Sequence, residues 1–214
     1  MAPRRPRGAA AGRHLAALAL TLLCGALAAC GRERAAASPE EAFLKLLDAC
    51  DSGDGARLFD ALDTPTQWAI ETVHGAEREM RAQVLLSYPP GERDQALRRL
   101  PAACEEDLER PRRYYRRLDE TAAVLAELKR RIYLGAGQPV GSVRKREGVA
   151  EVWREGGSVF HFFRDDKGRW GFMELRDPWQ RAAERVLHEL ETVKQNATLY
   201  KRLPPEAAKG MARP

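Results

Sequence analysis

The sequence predicts an α+β protein with a helical N-terminal part, a four-stranded antiparallel sheet over about residues 140–175 and a long C-terminal amphipathic helix. Three observations carry this reading. Between Ser38 and Leu134 apolar residues recur at helical spacing behind capped starts. After Gly135-Ala136-Gly137-Gln138-Pro139 the period switches to the short alternating runs of strands. From Trp179 to Tyr200 apolar residues return at alternating spacings of four and three.

The elements follow in order. Ser38-Pro39-Glu40-Glu41 opens the first helix: Ser38 suits the cap, Pro39 the first helical position, and Glu41 the reach-back of a capping box. Phe43, Leu44, Leu46, Leu47 and Cys50 supply its apolar face, Ser52-Gly53-Asp54-Gly55 ends it, and residues 57–62 form a short second helix. Thr64-Pro65-Thr66-Gln67 repeats the start signal for a helix running to about Ser87. Trp68, Ile70, Val73, Ala76, Met80 and Val84 mark its expected buried side, and Tyr88-Pro89-Pro90-Gly91 breaks it. Residues 92–134 are helical by propensity but interrupted by Pro101 and Pro111. Strands are expected at 140–146, 149–154, 159–164 and 170–175, with hairpin-loop composition at Gly156-Gly157 and Asp165-Asp166-Lys167-Gly168. The third has apolar groups on both faces and is expected to be central. Asp177-Pro178-Trp179-Gln180 starts the closing helix, whose Trp179, Val186, Leu190 and Val193 are expected to pack against the sheet.

Ahead of this domain lies an acid-free leader with Arg4, Arg5, Arg7 and Arg13, followed by the apolar run LAALALTLLCGALAAC. From Leu15 to Ala29 that run has 15 residues, short of the roughly 20 a spanning helix needs. The order of basic region, apolar run and small residues is that of a secretory signal. Its ending, Leu27-Ala28-Ala29-Cys30, resembles the lipobox of bacterial lipoproteins. The resemblance implies cleavage before Cys30, a diacylglycerol group on its sulfur and acylation, commonly with palmitate, of the new amino terminus. Gly31, where an inner-membrane retention signal would carry Asp, points to the outer membrane facing the periplasm. The expected division is a signal peptide at 1–29, a lipidated cysteine and tether at 30–37, one α+β domain at 38–203 and a tail at 204–214.

The chain carries a formal net charge of +5. Removing residues 1–29 takes away four arginines and no acids, leaving 32 basic against 31 acidic residues. The basicity belongs to the leader and is no argument for nucleic acid as a partner. Arg110-Pro111-Arg112-Arg113-Tyr114-Tyr115-Arg116-Arg117 is the densest basic patch, yet Glu109–Arg113 and Arg116–Glu120 have the i,i+4 spacing of a solvated helix. Export leaves Cys50 and Cys104 as the pair free to bridge, since Cys24 departs with the signal and Cys30 takes lipid.

The opening segment SPEEAFLKLLDACDSGDGARLFDAL resembles the start of the nuclear-transport-factor-like superfamily, and residues 140–175, ending in WGFMEL, are similar to its curved sheet. The resemblance implies a cone with a pocket between sheet and helices, which the enzymes of the group line with His, Asp or Glu. It implies no particular activity. Two features depart from the family: the helical stretch 75–134 is longer than usual, and a long helix follows the sheet.

His161, with Glu151 and Glu174 in neighbouring strands, forms the candidate pocket, since a carboxylate–imidazole pair can move protons when burial tunes both groups. The competing reading places all three on a solvated sheet face. His74 and His188 are expected on solvated helix faces. No Cys/His spacing suits zinc and no glycine-rich turn leads from strand to helix, so no metal, cofactor or catalytic residue is assigned. The expected function is a non-catalytic binding or assembly module held to the membrane by lipid, with an envelope protein or glycan as partner. The alternative is a small-molecule enzyme with His161 and a carboxylate in a cone-shaped pocket.

Overall fold

A computed structural model describes residues 35–100, 111–133, 140–154 and 157–202. Helix α1 (Pro39–Ser52) starts as its sequence dictates. Ser38 Oγ accepts the Glu41 N–H at 3.1 Å, and Glu41 Oε2 reaches back to the Ala37 N–H at 2.7 Å. Gly53, at φ 63°, ends it. Asp54 caps the short α2 (Gly55–Ala61). Helix α3 (Thr64–Ser87) is capped one residue earlier than expected, by Asp63 rather than Thr64. It is followed by α4 (Pro90–Leu97), α5 (Pro111–Arg117) and α6 (Asp119–Tyr133).

The sheet is an antiparallel meander in the order β1 (Ser142–Arg146), β2 (Val149–Trp153), β3 (Val159–Arg164), β4 (Trp170–Phe172). The α+β prediction holds, with β3 inside the sheet as its two apolar faces require. Glu147 and Gly148 turn β1 into β2 with φ of 33° and 82°, the paired positive values of a tight hairpin. The fourth strand stops at Phe172, three residues short of expectation. At the β4 edge, bridges from Ala36 and Leu62 cover the strand, whereas the β1 edge is guarded by Arg144, Lys145 and Arg146.

The inner sheet face is closed by aromatic packing. Phe43 of α1 lies 5.3 Å from Phe160 and 6.3 Å from Phe162, and Phe172 lies 5.8 Å from Phe162, all four rings fully buried. Offset and tilted contacts of this kind add to the burial energy of each ring. Gly171 is required on β4 because the Leu62–Asp63 backbone crosses it: a Cβ there would lie 2.5 Å from the Asp63 Cα. That crossing places Asp63 at a junction. Its Oδ1 accepts the Thr66 N–H at 3.1 Å, its own N–H donates to the Phe172 carbonyl at 3.0 Å, and Oδ2 takes the Arg176 Nε at 2.8 Å.

Helix α7 (Arg176–Arg202) corrects the expectation for the closing helix. It lies along α3 rather than on the sheet. Lys194 pairs with Glu79 at 2.8 Å, and Tyr200 stacks edge-on to Tyr88 at 4.8 Å. The reason is geometric: α1 already occupies the inner sheet face, and the long apolar stripe of α3 (Ile70, Val73, Met80, Val84) needs a cover of similar length. The basic patch likewise has a buried side, Tyr114 and Tyr115 being 1% exposed, while Arg112 bonds Asp60 at 2.5 Å. Glu109 and the side chains of Arg116 and Arg117 lie outside the described residues. Among the described residues no helix is long and apolar enough to cross a membrane.

Candidate functional site

Among the described residues α7 packs along α3, and the outer face of the sheet keeps part of its surface open. Alternation decides which residues it presents: Trp153 faces Val159, Glu151 faces His161, and Val149 faces Phe163 across the β2–β3 ladder. All six are half-buried, while Ala150, Val152, Phe160 and Phe162 on the other side are fully buried. Two guanidinium groups flank the face, Arg144 at 5.1 Å from the Trp153 ring and Arg176 at 4.4 Å from the Phe163 ring. Both are within cation–π range. Arg176 is fixed by its bond to buried Asp63, so the same ion pair that caps α3 holds a cation over Phe163.

The three predicted pocket residues meet only in part. His161 and Glu174 come together: Glu174 Oε1 lies 3.1 Å from His161 Nδ1 and accepts the His161 backbone N–H at 3.1 Å. Glu174 is in the turn after β4, not in the strand, and its carboxylate takes the ladder position that the short strand leaves open. The other oxygen, Oε2, accepts Arg131 Nη1 at 2.6 Å. Arg131 also donates to the Val159 carbonyl at 2.8 Å and lies 4.7 Å from the Phe160 centroid. Glu151 stands opposite His161 in register, but its Oε2 accepts the Trp153 indole N–H at 3.2 Å.

Glu174 Oε1 is placed to accept an N–H from His161 Nδ1, and in the tautomer that carries that hydrogen Nε2 is an acceptor. The imidazole side chain is 44% exposed. Neither the groove of about 470 Å³ between α3, α4 and α7 nor the small cavity beside Ala36 is lined by His161 or Glu174. Glu151 lines a hollow of about 300 Å³ with Arg144, Arg146, Glu147 and Val149. No group of three His, Cys, Asp or Glu side chains able to hold a metal ion occurs among the described residues. Sequence reasoning missed Arg131 and Ser158, which bond the end of α6 to the sheet; Ser158 Oγ donates to the Arg131 carbonyl at 3.0 Å. No sequence period could have flagged a contact made across 27 residues.

Other expected residues fall elsewhere. His74 is buried, not solvated, and its ring stacks 4.8 Å from Tyr114, whose hydroxyl donates to Glu77 at 2.6 Å. His188 is exposed as expected. Cys50 is a free, buried thiol pushed up to about 11, chiefly by burial, with Asp51 adding to the effect and Lys129 opposing it. That makes it an inert apolar group at neutral pH. Cys30 and Cys104 lie outside the described residues.

The chain matches no known protein family, no curated protein and no solved structure.

Proposed function

We propose that the protein is an envelope lipoprotein, anchored through Cys30 and facing the periplasm from the outer membrane, that acts as a non-catalytic binding or assembly module. The signal and the lipobox-like Leu27-Ala28-Ala29-Cys30 support the location. The observation that carries the binding role is the contrast between the two sheet faces. The inner face is filled by Phe43, Phe160, Phe162 and Phe172, all fully buried against one another. The outer face offers Trp153, Phe163, Arg144 and Arg176 on a rigid scaffold, the residue types that dominate binding energy at interfaces. An envelope protein or an anionic glycan would suit its aromatic and guanidinium groups.

A photo-reactive residue at position 159, introduced into the protein in intact envelopes, tests this. A discrete crosslinked species is expected, and Trp153→Ala should weaken it by about tenfold, the ordinary cost of truncating an aromatic anchor. The His161–Glu174 pair favours the enzyme alternative. That reading predicts no such species, together with a turnover lost in both His161→Ala and Glu174→Gln.

A further inference from the structure

The chain joins the described fold as part of its sheet. Ala36 is 4% exposed, and its carbonyl accepts the Trp170 N–H at 3.0 Å. The tether is therefore shorter than residues 31–37: five residues separate Cys30 from that bond, and six Cα steps reach at most about 22 Å. Ala35 and Ala36 share a cavity with Lys45 of α1 and with Thr64 and Gln67 of α3. The early turns of both helices are thus gathered where the tether arrives. Each carries a large exposed apolar side chain one residue away from that cavity's lining. Leu44, next to Lys45, is 53% exposed, and Trp68, next to Gln67, is 64% exposed. The other exposed apolar groups of α3, Leu85 and Leu86, lie about 25 Å further along its axis.

We propose that, in the protein anchored through Cys30, the end of the domain bearing Leu44 and Trp68 rests on the bilayer, with the Trp68 indole among the lipid headgroups. This rests on the lipid-anchor reading and adds an orientation to it. A short tether keeps that end at high effective concentration near the surface, so each weak contact counts without a separate binding event. An indole, apolar in body with one N–H donor, is the side chain best suited to the boundary between headgroup and acyl chain. The exposed position explains a failure of helical periodicity: Trp68 falls on the expected buried stripe of α3 but is the most exposed tryptophan described.

The full mature lipidated protein, reconstituted in phosphatidylcholine–phosphatidylglycerol vesicles with lipid brominated near the headgroup end of its chains, provides the test. Trp68 is one of four tryptophans, so bromolipid should remove up to about a quarter of the emission. Trp68→Phe, a change at an exposed site, should abolish that loss, whereas Trp153→Phe should retain it. Equal quenching, or none, in wild type and Trp68→Phe overturns the orientation while leaving the anchor intact, provided that the protein floats with the vesicles and mass spectrometry finds an acylated Cys30 peptide. An unacylated Cys30 peptide overturns the anchor and the orientation together.

Discussion

Residue 171 sits where the Leu62–Asp63 backbone crosses β4, and three backbone atoms of that segment lie within 2.6 Å of where its Cβ would be. Backbone cannot swing aside as a side-chain tip can, so Gly171→Ala must open the junction. Overpacking of this kind costs about 1–3 kcal/mol. The expected outcome is a lower urea midpoint with an unchanged denaturant slope. The same junction explains the clustering of roles on Asp63, whose side chain is 1% exposed. One carboxylate caps α3 and anchors Arg176, so no oxygen is left without a donor. A buried ion pair of this sort contributes little over an apolar substitute, but losing one partner is costly. Arg176 in turn carries its charge over Phe163, which links a packing device to the outer sheet face.

Among the elements, α3 does the most organising: its first turn meets the sheet, its length receives α7, and its end meets α4. Gly75, midway along it, is exposed, and a Cβ there would have open space around it. Nothing in the packing of the described residues demands a glycine at that position. Gly75→Ala should therefore stabilise the protein by about 0.5–1 kcal/mol, through lower backbone entropy in the unfolded chain and better helix propensity. Thermal unfolding checks this, and a lower melting temperature would show that the helix needs to flex there. The stripe on α7 follows the same reasoning at element scale. Its residues Val186, Leu190 and Ala197 are buried within one chain, so the near-heptad spacing needs no second subunit.

Across the whole molecule, polar links tie the sheet to the helices at its two ends. At one end Arg131 joins α6 to Glu174 and to β3. At the other, Asp165 in the β3–β4 turn accepts from Thr64 Oγ1 at 2.9 Å and from Arg169 Nε at 2.7 Å. Burial pushes the Asp165 carboxyl up, but the Arg169 N–H, its guanidinium and the Thr64 hydroxyl outweigh it and hold the group below its ordinary 3.8. A depressed carboxylate contributes its full stability above the unfolded value and loses it as pH falls through the folded one. Stability of the wild type should therefore fall as pH drops below about 4, more steeply than in Asp165→Asn. Urea unfolding of both proteins between neutral pH and about pH 3 measures the difference. Parallel curves would mean that other carboxylates govern acid unfolding.

The sequence alone determined whatever depends on local periodicity and caps. The Ser38 cap, the four strands, the inner placement of β3 and the existence of a long last helix all follow from residues within a few positions of one another. It also brought His161 and Glu174 into consideration, because both lie on the short path through one meander. Tertiary structure alone decided where the last helix goes, since an apolar stripe records that it must be covered but not by what. It decided that Trp68 faces outward while His74 faces inward, because each depends on which neighbour happens to cross its turn of α3. It joined Arg131 to Glu174 over 43 residues, and Asp63 to Arg176 over 113. Such pairs carry no period, so only the folded chain reveals them.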